Sequence, residues 1–423
     1  MNPFTLKAKP LNSTLLDWTG MRPLPYDKWG DPYTRCRTIL MNGTEFEACW
    51  FSHQFNRNCP NNDVRRNLAL IRRSEQNQQK LLSVLKPADE NLLEHTIGYE
   101  QLAVDLTAHL AKKEPDKYVK KALDFALLED FDHLYRYADF LDMENGVHAE
   151  DLVGRYTEIM PARPTVSHYR YPFDSVRYSI NNRTASPVTR LCVGIITAAE
   201  QQTMNYYMNV CGGYPNDRGR FLYQEIGMVE EQHVTHYGSL MDPCATWLEN
   251  LVMHQYTEAY LYWSAYETET DMRIKPIWEM LFEMELSHLA CASQMLEKYE
   301  NKDPVSVVGG DGSFPDALVL ESNIPYVREV LEKSVQMTAY REEYECVNNL
   351  CDNADFFMYQ NLLNHDLNTV NSHTIIEDYI RTHGTDYRFE TAPNPIPALQ
   401  NRTVDDTTLG RVKGVSNACT LDI

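Results

Sequence analysis

Glu230 and His233 stand three residues apart in EIGMVEEQHVTHYG, residues 225–238. In a helix, positions i and i+3 lie on one face. A carboxylate and an imidazole sharing a face beside Met228 and Val229 make either half of a metal site or an accident of a solvated stripe, and one such pair does not decide between them. The arithmetic recurs, however. Glu200 precedes Glu230 by 30 residues; Glu100 precedes Asp130 by 30, with His133 three further on; Glu258 precedes Glu285 by 27, with His288 three further on. Each interval contains a turn signal near its middle. Each therefore reads as an antiparallel helical hairpin that sets a lone carboxylate level with a carboxylate-x-x-His pair on the next helix.

The residue types suit one chemistry. Carboxylates can bridge two cations and offset their charge inside an apolar bundle, and mixed oxygen and nitrogen ligation favours iron or manganese over soft metals. A carboxylate-bridged pair of ions inside four helices takes one Glu from each of two helices and Glu-x-x-His from each of the other two. Glu200, Glu230 and His233 complete half of that set. Glu100, Asp130 and His133 supply the other half, with Glu129 as a substitute for the shorter Asp130. Glu258, Glu285 and His288 are the alternative, paired with the first hairpin's residues, in place of them, or as a further site. The bland reading of Glu258 and Glu285 is a water-facing surface, and that of His288 is a core imidazole bonded to a carbonyl. His236 and His254 are expected to support a site or to sit on the surface. Tyr99, Tyr135, Tyr206 and Tyr207 are expected to pack the core. No catalytic residue is singled out, and the glycine-rich VVGGDGSF at 307–314 lacks the context of a phosphate cradle.

The elements that must position these residues are helices. DVRRNLALIRRSEQNQQKLLSVL, from residue 63, is amphipathic and ends before Pro87. ADENLLEHTIGYEQLAVDLTAHLAKK and the stretch from Glu114 to Met143 follow, with Pro115 expected at a first helical position. Ser186-Pro187 reads as a cap and first turn for VTRLCVGIITAAEQQTMNYYMNV, which CGGYPND stops. Two further helices follow MDP, and residues 303–320 read as a loop. IPYVREVLEKSVQMTAY and FFMYQNLLNHDLNTVNSHTIIEDYIRTHG read as C-terminal helices, with almost no strand signal anywhere. Residues 1–62, rich in Pro, Asn, Gly and aromatics, read as an irregular arm. Residues 303–423 read as C-terminal helices and an extended tail. The one long connection, 143–186, permits the crossover that brings the first and second hairpins into a single bundle.

The bulk properties narrow the classes. The chain has 423 residues with 39 basic and 60 acidic side chains, a net charge of −21. That balance argues against nucleic acid and anionic membranes as partners. Hydrophobic residues make up 43%, a globular proportion, and no stretch approaches the roughly 20 apolar residues of a spanning helix. No secretion signal opens the chain, so the expected location is cytoplasmic. The ten cysteines include no C-x-x-C pair, and free thiols are expected.

Through the three carboxylate-histidine hairpins and their helix order, residues 89–300 resemble the ferritin-like di-iron carboxylate superfamily, which includes ferritins, rubrerythrins, ribonucleotide reductase small subunits and multicomponent monooxygenase hydroxylases. Asp130 departs from its usual Glu, and the chain has no cysteine-rich rubredoxin module. The resemblance implies an all-α protein: a ferritin-like four-helix bundle near 89–240, extended by flanking helices over 63–302. It implies two iron ions, or manganese or a mixed iron–manganese pair. The implied function is an oxidase or oxygenase that takes O2 or peroxide, a small-molecule substrate and electrons from an external donor, in a chain that can form a homodimer. A ferritin- or rubrerythrin-like metal-handling or peroxide-scavenging protein is the second reading, and a non-enzymatic helical binding protein the third.

Overall fold

The computed structural model describes residues 1–159 and 169–384. Helices dominate. In chain order they are α1 (Pro32–Asn58), α2 (Asn62–Val84), α3 (Leu92–Lys113), α4 (Lys117–Asn145), the short α5 (Ala149–Leu152), α6 (Pro187–Gly213), α7 (Asp217–Gly238), α8 (Trp247–Thr268) and α9 (Lys275–Glu300). The short α10 (Pro304–Val308) and α11 (Ile324–Ser334) follow. Then come strands β1 (Met337–Tyr340) and β2 (Glu343–Cys346), and finally α12 (Asp355–Leu363) and α13 (Asn371–His383).

Eight long helices form four consecutive hairpins: α1/α2, α3/α4, α6/α7 and α8/α9. The two middle hairpins pack on each other through α3 with α6 and α4 with α7. The first and last hairpins pack through α1 with α8 and α2 with α9. Helix α1 also packs on α3 and α6, which joins the two sets. The pairing is therefore nested, with residues 92–238 lying between the two halves of the outer set.

Local chemistry sets the helix starts. Asn91 and Glu94 form a reciprocal capping box at α3, and Thr246 and Glu249 do the same at α8. Ser186 accepts the Thr189 N–H at 3.0 Å ahead of Pro187, as the sequence suggests. At α4 the cap is Asp116, which accepts from Tyr118 and Val119, so Pro115 lies outside the helix rather than at its first position. Helix α4 is the central one: Phe131, Leu134, Tyr135, Ala138 and Leu141 are all inaccessible to solvent. Fully burying a Leu or Phe side chain stabilises by about 1.5–3 kcal/mol.

Three readings are corrected. Residues 32–58 form the long helix α1 and are not part of an irregular arm; α1 is covered by four helices, so its apolar residues fall on every side and leave no stripe to detect. Residues 337–346 form an antiparallel hairpin, Met337 opposite Cys346 and Tyr340 opposite Glu343, where residues 337–340 were expected to end a helix. Arg341 takes the left-handed turn at φ 54°, which no helix accommodates. Finally, eight of the described cysteines are free, but Cys346 is disulfide-bonded, so the expectation of free thiols fails there. Its near neighbour Cys351 is free and exposed, so closeness in sequence does not mark the bonded pair. The expected tail from residue 385 lies outside the described residues. No helix among the described residues is long and apolar enough to cross a membrane.

Candidate metal centre

The middle hairpins bring all six expected residues into one buried cluster. Asp130 from α4, Glu200 from α6, and Glu230 and His233 from α7 each place one ligand atom so that the four lie within 4.8 Å of one another. Glu100 from α3, His133 from α4 and Glu230 form a second such group. Glu230 belongs to both. Metal–oxygen and metal–nitrogen bonds of about 2.0–2.2 Å put opposite ligands about 4–4.4 Å apart, so each group spans a distance that one ion fills. None of the six side chains is more than marginally accessible.

Both imidazoles face Glu230. His133 Nδ1 lies 2.9 Å from Glu230 Oε1. His233 Nδ1 lies 3.3 Å from Glu230 Oε2, 3.3 Å from Asp130 Oδ1 and 3.5 Å from Glu200 Oε2. His233 thus aims one nitrogen at the point where three carboxylates converge. Its other nitrogen is 2.8 Å from Glu129 Oε2, and the Arg170 guanidinium donates to both Glu129 oxygens at 2.6 Å. Glu129 therefore does not substitute for Asp130. It holds His233 from behind, and Asp130 is the residue that faces the cluster.

The electrostatics fit a cation. Burial and the charge of Glu230 push Glu100 well above the usual carboxylate range, and burial and Glu200 do the same to Asp130. Burial raises Glu200 to about 7. Glu230 goes the other way: burial opposes ionisation, but contacts with His133 and His233 outweigh it and keep the group ionised. Two of the four carboxylates, Glu100 and Asp130, are thus driven well toward neutrality for want of positive charge. Both oxygens of Asp130, both of Glu200, and Oε2 of Glu100 and of Glu230 make no hydrogen bond of normal geometry. Buried polar atoms left open in this way point to a missing partner, and two divalent cations would satisfy both the oxygens and the charge.

Tyr207, read from the sequence chiefly as a core residue, donates its hydroxyl to Glu100 Oε1. It sits in a group of buried rings with Tyr99, Tyr137 and Tyr223. Tyr99 stacks on Tyr206 at 4.3 Å, while Tyr135 is wholly buried. His236 stays out of the cluster: its Nε2 is 3.3 Å from the Ala122 carbonyl and from the Tyr344 hydroxyl.

Glu258, Glu285 and His288 are not brought to this centre. They are buried in the outer set of helices and do not face water. His254 pairs with Glu47 at 3.0 Å. Sequence reasoning missed Glu129 and Arg170 as partners of the site. The signal in reach was Glu129 itself, one of two adjacent carboxylates on a helix that can present only one of them to a given side.

A cleft of about 330 Å³ lies against the outer side of this region, lined by Arg170, Met204, Met208, Gly227, Met228 and Tyr359 among others. Arg170 therefore links the cleft wall to Glu129 and so to His233. The chain matches no family model, no curated protein and no solved structure.

Proposed function

We propose that this protein is a ferritin-like di-metal carboxylate oxidoreductase. The observation that carries the reading is the pair of buried ligand groups sharing Glu230, contributed by four helices of two hairpins. One ion would be held by Asp130, Glu200, Glu230 and His233, the other by Glu100, His133 and Glu230. The oxygen-rich set with one imidazole per ion suits iron, manganese or one of each. When bound, the ions supply the electrons and Lewis acidity with which O2 or peroxide is reduced.

The chain's own residues supply the rest. Glu129 accepts the Nε2 proton of His233 and so leaves Nδ1 as the lone-pair nitrogen facing the carboxylates. Arg170 keeps Glu129 ionised. Tyr207 places a proton on the Glu100 side, at Oε1, and leaves Oε2 open. The packed rings of Tyr137, Tyr207 and Tyr223 keep bulk water from the cluster. An organic substrate is favoured over simple metal storage by the Met-lined cleft, whose volume falls at the lower end of small-molecule sites. An external electron donor completes this reading.

The test is metal analysis of the purified protein followed by chelation and reloading with iron(II). Two ions bound by the six residues, with O2 or peroxide consumption restored on reloading and lost in His233→Ala, is the expected outcome. Folded protein that takes up no metal at these residues would overturn the reading.

A further inference from the structure

The outer helices repeat the register of the inner ones. Glu45 on α1 precedes Glu75 on α2 by 30 residues, and Gln78 stands three further on, in the place that His133, His233 and His288 hold in the other hairpins. Glu45, Glu75 and Gln78 meet Glu258 on α8 and Glu285 and His288 on α9 in a second core, and all six side chains are essentially inaccessible.

The hydrogen bonding there is lopsided in a consistent way. Tyr262 donates to Glu45 Oε1. Gln255 Nε2 donates to Glu75 Oε1 at 3.0 Å and Glu258 Oε2 at 2.8 Å. Gln78 Nε2 donates to Glu285 Oε1 at 2.6 Å. Each carboxylate thus has one oxygen held by a neutral donor. The other oxygen of each, Glu45 Oε2, Glu75 Oε2, Glu258 Oε1 and Glu285 Oε2, has no hydrogen-bond partner. Neither does His288 Nε2, while His288 Nδ1 stands 3.0 Å from Glu285 Oε1. Four half-satisfied carboxylates and one open imidazole in a buried core are the inventory of a cation site.

A small cleft of about 50 Å³ has Glu258 in its wall, beside Glu47, Arg190, Asp242 and His254.

We propose that this outer core is a second metal site, distinct from the inner centre, which holds a single hard divalent cation of the manganese(II) or iron(II) class. His288 and Glu285 are its anchoring ligands, and Glu45, Glu75 and Glu258 complete the shell, in part through water. Two features set it at one ion rather than two. Gln78 takes the place of a second histidine and is occupied as a donor to Glu285. The core is also looser, with no three ligand atoms within 4.8 Å of one another, so an ion keeping part of its water shell fits it better than a compact pair.

The test is a manganese(II) titration of chelator-stripped protein, read by electron paramagnetic resonance. It uses the wild type, an inner variant His133→Ala/His233→Ala, and that variant carrying Glu285→Gln/His288→Ala as well. The inner variant retaining one manganese per chain, lost on adding the outer substitutions, is the expected result. Glu258→Gln alone is expected to weaken that ion by at least about tenfold. A folded inner variant that binds none, while the wild type binds two, overturns the proposal and leaves the inner centre standing. A wild type that binds one ion, lost only with the outer substitutions, supports the outer site and sinks the inner reading. Should the variants fail to fold, a manganese-edge anomalous map of wild-type crystals decides: a peak among Glu45, Glu75, Glu258, Glu285 and His288 supports the site, and peaks confined to the inner ligands overturn it.

Discussion

Glu129 Oε2 lies 2.8 Å from His233 Nε2, on the side of the ring away from the carboxylate cluster. This fixes which nitrogen of His233 is free to ligate. Replacing Glu129 by Ala would also strand the buried Arg170 charge, at a cost of about 3–5 kcal/mol. Glu129→Gln keeps the shape and one acceptor oxygen, so it disturbs Arg170 less than the truncation does while weakening the hold on the imidazole. Metal affinity in Glu129→Gln is expected to fall about 10–100-fold, measured by competition with a chromophoric chelator. An unchanged affinity would mean that the contact does not orient the ring.

His233 and His236 differ by one step of three residues, yet only His233 faces the cluster. His236 is bound to the Ala122 carbonyl and stacks near Phe125. His233→Ala should lose most of the inner metal. His236→Ala should keep it and show only a stability loss from the vacated core. Metal content per chain, by mass spectrometry, separates the two, and the reverse pattern would refute the assignment.

Asp105 offers a pH readout independent of the ligands. It is buried, accepts from Tyr33 at 3.1 Å and Thr157 at 2.7 Å, and burial raises it to about 7. The folded chain therefore keeps a proton that the unfolded chain releases near pH 4. The contribution to stability is largest below that value and declines as pH rises to about 7, where it levels off. Asp105→Asn removes this decline. Its Tm relative to wild type should rise between pH 5 and pH 8, by the equivalent of a few kcal/mol. A Tm difference that is flat across that range would rule this out.

Gly98 on α3 faces α1 with no room for a side chain. A Cβ there would fall 2.3 Å from Arg35 Cδ and 3.0 Å from Ile39 Cδ1. Arg35 cannot move freely, since its Nε lies 2.8 Å from Glu90 and its NH1 and NH2 donate to backbone carbonyls. Gly98→Ala gains about 1 kcal/mol of helix propensity but overpacks a fixed neighbour by about 1–3 kcal/mol or more. A net loss of stability in urea unfolding is expected; a stabilised variant would show that Arg35 yields.

The inner ligands were legible because helical spacing and hairpin length are local quantities. Glu200, Glu230 and His233 declare a shared level from their numbers alone. What the spacing could not give was the side from which other segments approach. Arg170 reaches Glu129 from a connection 41 positions away, and nothing in RYPFDS signals it. The outer register was present in the sequence as Glu45, Glu75 and Gln78, but it was hidden twice: α1 lacks a one-sided apolar stripe, and Gln78 breaks the histidine pattern. The β1–β2 turn was obscured because QMTAYREEYEC is rich in residues that helices also accept.

The nested order of hairpins has a cost in time during synthesis. The first hairpin ends at residue 84 and its partner is complete only at residue 300, so 216 residues must emerge in between. At about 5–20 residues per second, α1 and α2 wait roughly 10–40 s without α8 and α9. Throughout that delay the face that carries Glu45 and Glu75 has no α8/α9 surface to close against. The middle hairpins, nearer neighbours along the chain, can close on each other first and offer α1 a surface through α3 and α6. On this order of synthesis the middle hairpins can pair before the outer ones, and the amino-terminal helices wait longest for their full set of partners.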